Sequence, residues 1–145
     1  MNLQRRSLGL VSAALLLLSA CAGPAPSPQA ERTPIVFVHG NGDSAALWQA
    51  IIWRFESNGW PTDRLHAIDM PYPLARDADN KAQAGRSSTQ EHMAFLRDEV
   101  QAVLRRTGAK QVVLVGNSRG GNAIRNFICN GGGVAVVSHA VLGGT

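Results

Sequence analysis

Gly116-Asn117-Ser118-Arg119-Gly120 sets a serine between two glycines, behind the apolar run Val112 to Val115 and ahead of Gly121-Asn122-Ala123-Ile124. A serine hydroxyl is a weak nucleophile near neutral pH. It gains reactivity when a base takes its proton and donors receive the charge that forms on the attacked carbonyl. A strand running through a sharp turn into a helix would present Ser118 at the carboxyl end of a sheet, and the flanking glycines would let strand and helix close together. The helix N-terminus would add free N–H groups and positive partial charge beside it. Ser118 is therefore the candidate nucleophile. A phosphate-binding turn is disfavoured, because the lysine and hydroxyl of a P-loop are absent.

His39-Gly40-Asn41-Gly42 follows the run Ile35 to Val38 directly. Two backbone N–H groups from separate loops commonly receive the oxyanion of an acyl-transfer intermediate. The candidates here are the N–H of Asn41 and the N–H of Arg119, the residue after the nucleophile. In that role their side chains are free to vary. Read alone, the glycine-rich segment would pass for a plain strand-to-helix turn.

These residues must be placed by regular elements, and the sequence supplies them in alternation. Ile35 to Val38 is too short and too β-branched for a helix and reads as a buried strand. Ser44 as cap and Leu47, Trp48, Ile51, Ile52 and Phe55 at helical spacing predict a helix that stops at Asn58-Gly59. Arg64 to Met70 reads as a strand ended by prolines, and Leu74 to Arg86 as a long polar loop. Ser88-Thr89-Gln90-Glu91 fits a capping box, with an apolar stripe from Met93 to Leu104 behind it and Gly108 at the end. Gln111 to Val115 is expected as the third strand, Gly120 to Asn130 as the third helix, and Val134 to Leu142 as a fourth strand. Strands alternating with helices predict an α/β fold, a mostly parallel sheet with helices on both faces.

Taken together, the two motifs in this order resemble the α/β-hydrolase family, and within it the bacterial lipases and esterases. The matching positions are His39-Gly40, Asn41 as oxyanion residue, the turn from Gly116 to Gly120 and Ser118 within it. Asn117 stands where that family often has histidine. The resemblance covers the chain from about Pro34 onward and implies hydrolysis of carboxylic esters or lipids through an acyl-enzyme on Ser118, without a cofactor. In that family the triad acid and base follow the nucleophile, in that order. Here only His139 follows Ser118, inside the expected last strand, and no Asp or Glu does. His39, His66 and His92 read as structural, and Asp43 and Asp69 as residues that orient loops. The expectation is an α/β-hydrolase core cut short after the strand that follows the nucleophile helix, with the acid and base missing. The alternative is a non-catalytic envelope lipoprotein that keeps part of the hydrolase fold.

The first thirty-four residues read as an address and a tether. Arg5 and Arg6 precede an apolar run from Leu8 to Ala20, too short for a comfortable permanent span, so residues 1–20 are expected to be a cleaved export signal. Leu18-Ser19-Ala20-Cys21 resembles the bacterial lipobox, which implies that Cys21 is lipidated, becomes the mature N-terminus and anchors the chain in a membrane of the cell envelope. Residues 21–34 then form a proline-rich tether, and 35–145 the hydrolase core. A net charge of +4, falling to +2 without Arg5 and Arg6, has no clustered basic block, so nucleic-acid binding is not expected. With Cys21 modified only Cys129 is left, which excludes an intramolecular disulfide, and no histidine or cysteine spacing suggests a metal.

Overall fold

A computed structural model describes residues 32–144. The export signal, Cys21 and nearly all of the tether lie outside the described residues. The strands β1 (Ile35–Val38), β2 (Leu65–Ile68), β5 (Val112–Asn117) and β6 (Val137–Gly143) form one parallel sheet in the order β2-β1-β5-β6. Side chains alternate across a strand, so β1 serves two cores at once. Val36 and Val38 join Ile68, Val112 and Leu114 beneath α2 (Thr89–Thr107) and α3 (Arg119–Asn130). Ile35 and Phe37 face the other way, with Leu65 and Trp48, beneath α1 (Gln49–Ser57). The helices thus cover both faces, and the expected α/β architecture is the one found.

The cover is uneven, and the sequence explains why. In α2 the residues His92, Met93, Leu96, Val100 and Val103 fall on one stripe and are all buried. Its start is set by the capping box, where Ser88 Oγ accepts from Glu91 N–H and the Glu91 carboxylate accepts from Ser88 N–H; Gly108 ends it at φ 68°. α1 has no fully buried residue, and Trp53 is 60% exposed. Consequently Val113 and Val115, which point to the α1 side, are only half-buried, whereas Val112 and Leu114 are fully enclosed.

Several expected boundaries move. The strand expected from Arg64 to Met70 is confined to Leu65–Ile68, because Arg64 closes a 3-10 turn, Thr62–Arg64, and the strand expected from Gln111 to Val115 runs from Val112 to Asn117. The segment after Ser44 is first a 3-10 turn, Ala45–Trp48, and becomes α-helical only at Gln49; Ser44 makes no side-chain cap, and Asp69 Oδ1 accepts from Ala45 N–H at 2.7 Å instead. The last strand begins at Val137, not Val134, because the Gly131-Gly132-Gly133 run leads into another 3-10 turn, Gly133–Ala135, with Gly132 at φ 84°. Within the long polar loop, β3 (Leu74–Ala75) and β4 (Arg86–Ser87) make a two-residue parallel pair.

Candidate active site

Val38 pairs with Gly116, so the segments that follow β1 and β5 emerge side by side at the carboxyl ends of adjacent central strands. Ser118 lies between β5 and α3 with φ 52° and ψ −124°. Among the described residues it is the one non-glycine residue at positive φ. Such a conformation costs on the order of 1–3 kcal/mol and persists only when its surroundings enforce it. The Ser118 N–H donates to the Gly143 carbonyl at 2.8 Å, which ties the turn to the end of β6. Helix and strand approach so closely here that side chains are excluded. A Cβ on Gly120 would lie 2.4 Å from the Val38 carbonyl oxygen, and one on Gly116 would lie 2.5 Å from Ile124 Cδ1.

The His39–Gly42 loop lies against this turn. A Cβ on Gly40 would sit 3.2 Å from Ser118 Cβ and 3.7 Å from its Oγ, and Asn41 is the next residue along. Arg119 opens α3, where the first N–H groups have no intrahelical acceptor. The structure therefore brings together Ser118 and both segments expected to donate to an oxyanion. The side chains of Asn41 and Arg119 are not idle. Asn41 Oδ1 accepts from Ala75 N–H at 2.7 Å, and the half-buried Arg119 guanidinium donates to the carbonyls of Pro73 (2.9 Å), Ser87 (2.6 Å) and Ser88 (3.3 Å). Burial holds the Arg119 pKa below its ordinary value, partly offset by Asp79 and Glu91. No motif in the sequence marks Pro73, Ser87 or Ser88 as partners of Arg119.

The histidines are placed elsewhere. His39 is fully buried, with Nδ1 donating to the Gly40 carbonyl at 2.9 Å and Nε2 accepting from Met70 N–H at 3.1 Å, so both ring nitrogens are engaged by main chain. His92, 2% exposed, is pushed down to about 4 by burial, then by the charge of Arg119 and by His39, so it is neutral at pH 7. His66 lies at the far side of the core, where burial and then Arg106 lower its pKa; an Arg106 N–H donates to its Nδ1 at 3.1 Å. His139 is exposed on β6 opposite Val113. Val113 is five residues before Ser118, and at ~3.3 Å per strand residue that is roughly 16 Å away. Among the described residues no side chain accepts a hydrogen bond from the Ser118 hydroxyl. Asp43 Oδ1 accepts from Ser44 N–H and Asp69 from Ala45 N–H, so both orient the loop before α1.

A groove of about 320 Å³ lined by Leu47, Trp48, Ile51, Asn117, Val141 and Leu142 reaches the turn from the α1 side. Among the described residues no group of His, Cys, Asp and Glu is placed to hold a metal, and no helix is long and apolar enough to cross a membrane.

A parallel sheet in this order, with a positive-φ serine at the strand-to-helix turn beside a glycine-rich loop, is an α/β-hydrolase core. The Lipase (class 2) family matches residues 32–144, and the chain belongs to that family. Similar solved structures include Bacillus licheniformis lipase BlEst2. Its mature form is 24% identical with TM-score 0.60, over 82% of this chain and 42% of that one; its propeptide form is 24% identical with TM-score 0.59, over 82% and 23%. An extracellular α/β-hydrolase from a Paenibacillus species is 15% identical with TM-score 0.54, over 77% of this chain and 40% of that one. At these identities the likeness is one of fold, and the chain spans less than half the length of each.

Proposed function

We propose that this chain carries the nucleophile and oxyanion hole of a serine carboxylic-ester hydrolase. Ser118 Oγ adds to the ester carbonyl, the Asn41 and Arg119 N–H groups receive the oxyanion, the alcohol leaves with a proton, and water releases the acid from the acyl-enzyme. The observation that carries this reading is the strained backbone of Ser118, held against Gly40 where a packing turn would need no positive φ. Membership of a lipase family supports an ester as substrate, and the apolar groove beside Asn117 suits a hydrocarbon chain. In this reading the general base is none of the four histidines, since His39 is occupied at both nitrogens and His139 is out of reach, and the triad acid is likewise not among the described residues. Export and a lipid anchor on Cys21 belong to the same proposal and place the hydrolase at the cell envelope. A Cys21→Ser variant should then leave the detergent phase on partition, and unchanged partition would refute the anchor.

A fluorophosphonate probe tests the nucleophile. The chain should label slowly at Ser118, and added imidazole should accelerate the reaction as an external base. Ser118→Ala should abolish the label. Labelling that stays absent with imidazole would favour the non-catalytic lipoprotein. Rapid labelling without imidazole, lost in a folded His39→Gln variant, would show that His39 is the base.

A further inference from the structure

The oxyanion loop and the nucleophile turn are joined through a third segment. The Pro73 carbonyl accepts from Gly42 N–H at 3.2 Å and from Arg119 Nη1 at 2.9 Å. Two residues on, Ala75 N–H donates to Asn41 Oδ1 at 2.7 Å. Arg119 Nη2 reaches the Ser87 and Ser88 carbonyls, and Ser87 is the β4 partner of Ala75. Residues 73–75 are thereby bonded on one side to Asn41 and Gly42 and on the other to the residue that follows Ser118.

We propose that the Arg119 side chain is a positioning residue, which fixes the Asn41 N–H relative to its own N–H by clamping the Pro73–Ala75 strap between the two loops. Arg119 thus serves twice, its backbone as donor and its guanidinium as the brace that holds the other donor in place. The proposal rests on the reading of Ser118 and its oxyanion hole. The planar fork of arginine presents several fixed N–H donors and spans the carbonyls of Pro73, Ser87 and Ser88 at once, whereas a lysine ammonium is a point charge on a flexible stem. The strap's other attachments are short: a two-residue ladder, a single bridge between Pro73 and Arg86, and the Arg86 bond to the Ala75 carbonyl. Without the guanidinium, no hydrogen bond among the described residues would tie the strap to α3, and the loop would rest on the nucleophile turn through main-chain packing at Gly40 and Gly120.

The test compares Arg119→Met, which keeps length without donors, and Arg119→Lys with the parent chain by amide hydrogen exchange. Gly42 and Ala75 amides should exchange about tenfold faster or more in Arg119→Met, with Arg119→Lys only partly restoring them, while Leu114 and Val100 keep their protection. In parallel, the imidazole-assisted phosphonylation rate of Ser118 should fall by about tenfold, less than the loss expected on deleting a donor outright, with half-saturating probe concentration unchanged. Unchanged exchange at Gly42, or an equal rise at every amide, would overturn the proposal. If the parent chain takes no label, the nucleophile reading fails, and the exchange pattern alone still decides whether Arg119 braces the loop.

Discussion

Gly120 is where α3 crosses β1, and Gly120→Ala puts a methyl into backbone. The added Cβ would lie 2.4 Å from the Val38 carbonyl oxygen and 2.5 Å from that of His39. Carbon rarely approaches a carbonyl oxygen closer than about 3.3 Å, so helix and strand must part by about 0.9 Å. Neither side can yield locally, because Val38 is held in the ladder between β2 and β5, and Gly120 lies in the first turn of α3. Overpacking in a close-packed core costs about 1–3 kcal/mol, and the upper end applies where the obstacle is main chain. The same displacement moves Ser118 from the Asn41 loop, and a shift near 1 Å costs roughly a hundredfold in rate where geometry is catalytic. Urea denaturation of Gly120→Ala should show a loss of about 3 kcal/mol, and Ser118 labelling should slow far more than in a surface variant such as Gly132→Ala. A variant within about 0.5 kcal/mol of the parent, labelling at the parent rate, would show that α3 and β1 are not in the contact described.

Gly40→Ala is expected to separate reactivity from stability. Its methyl would meet Ser118 Cβ at 3.2 Å and the Asn117 carbonyl at 3.4 Å, so labelling should fall while urea stability stays within about 1 kcal/mol; equal losses in both would count against it. His92 has a folded pKa of about 4 against an ordinary 6.5. Its neutral form is the folded one, so its stabilisation is fully present above pH 6.5 and is lost as the pH falls toward 4. Between pH 7 and 5 this amounts to about 2 kcal/mol, and His92→Phe should flatten that part of the urea pH profile. Ser88→Ala removes the acceptor for Glu91 N–H and should cost about 1 kcal/mol, with no change in Ser118 labelling, since Arg119 uses only the Ser88 carbonyl.

Sequence alone determined the features that depend on neighbours along the chain. A strand of four apolar residues, the capping box at Ser88 and the αL glycine after α2 are local devices, and each is where its residues predict. The turn around Ser118 was legible for the same reason, since glycines at 116 and 120 are needed wherever strand and helix close on a serine. Local pattern misled where a neighbour intervened. Val134 and Val136 are β-branched, yet they lie in and just after a 3-10 turn, because the ladder to β5 starts only once the triple glycine has turned the chain. Ser44 had the right type for a helix cap, but Asp69, twenty-four residues away from Ala45, makes the bond. Tertiary structure alone decided how the site is held. That Gly40 faces Ser118 follows from β1 pairing with β5 across seventy-eight positions of sequence. That Arg119 and Asn41 share residues 73–75 follows from where a polar loop happens to fold. Hydrogen bonds to main-chain carbonyls leave no trace in residue type, because every residue carries the same acceptor.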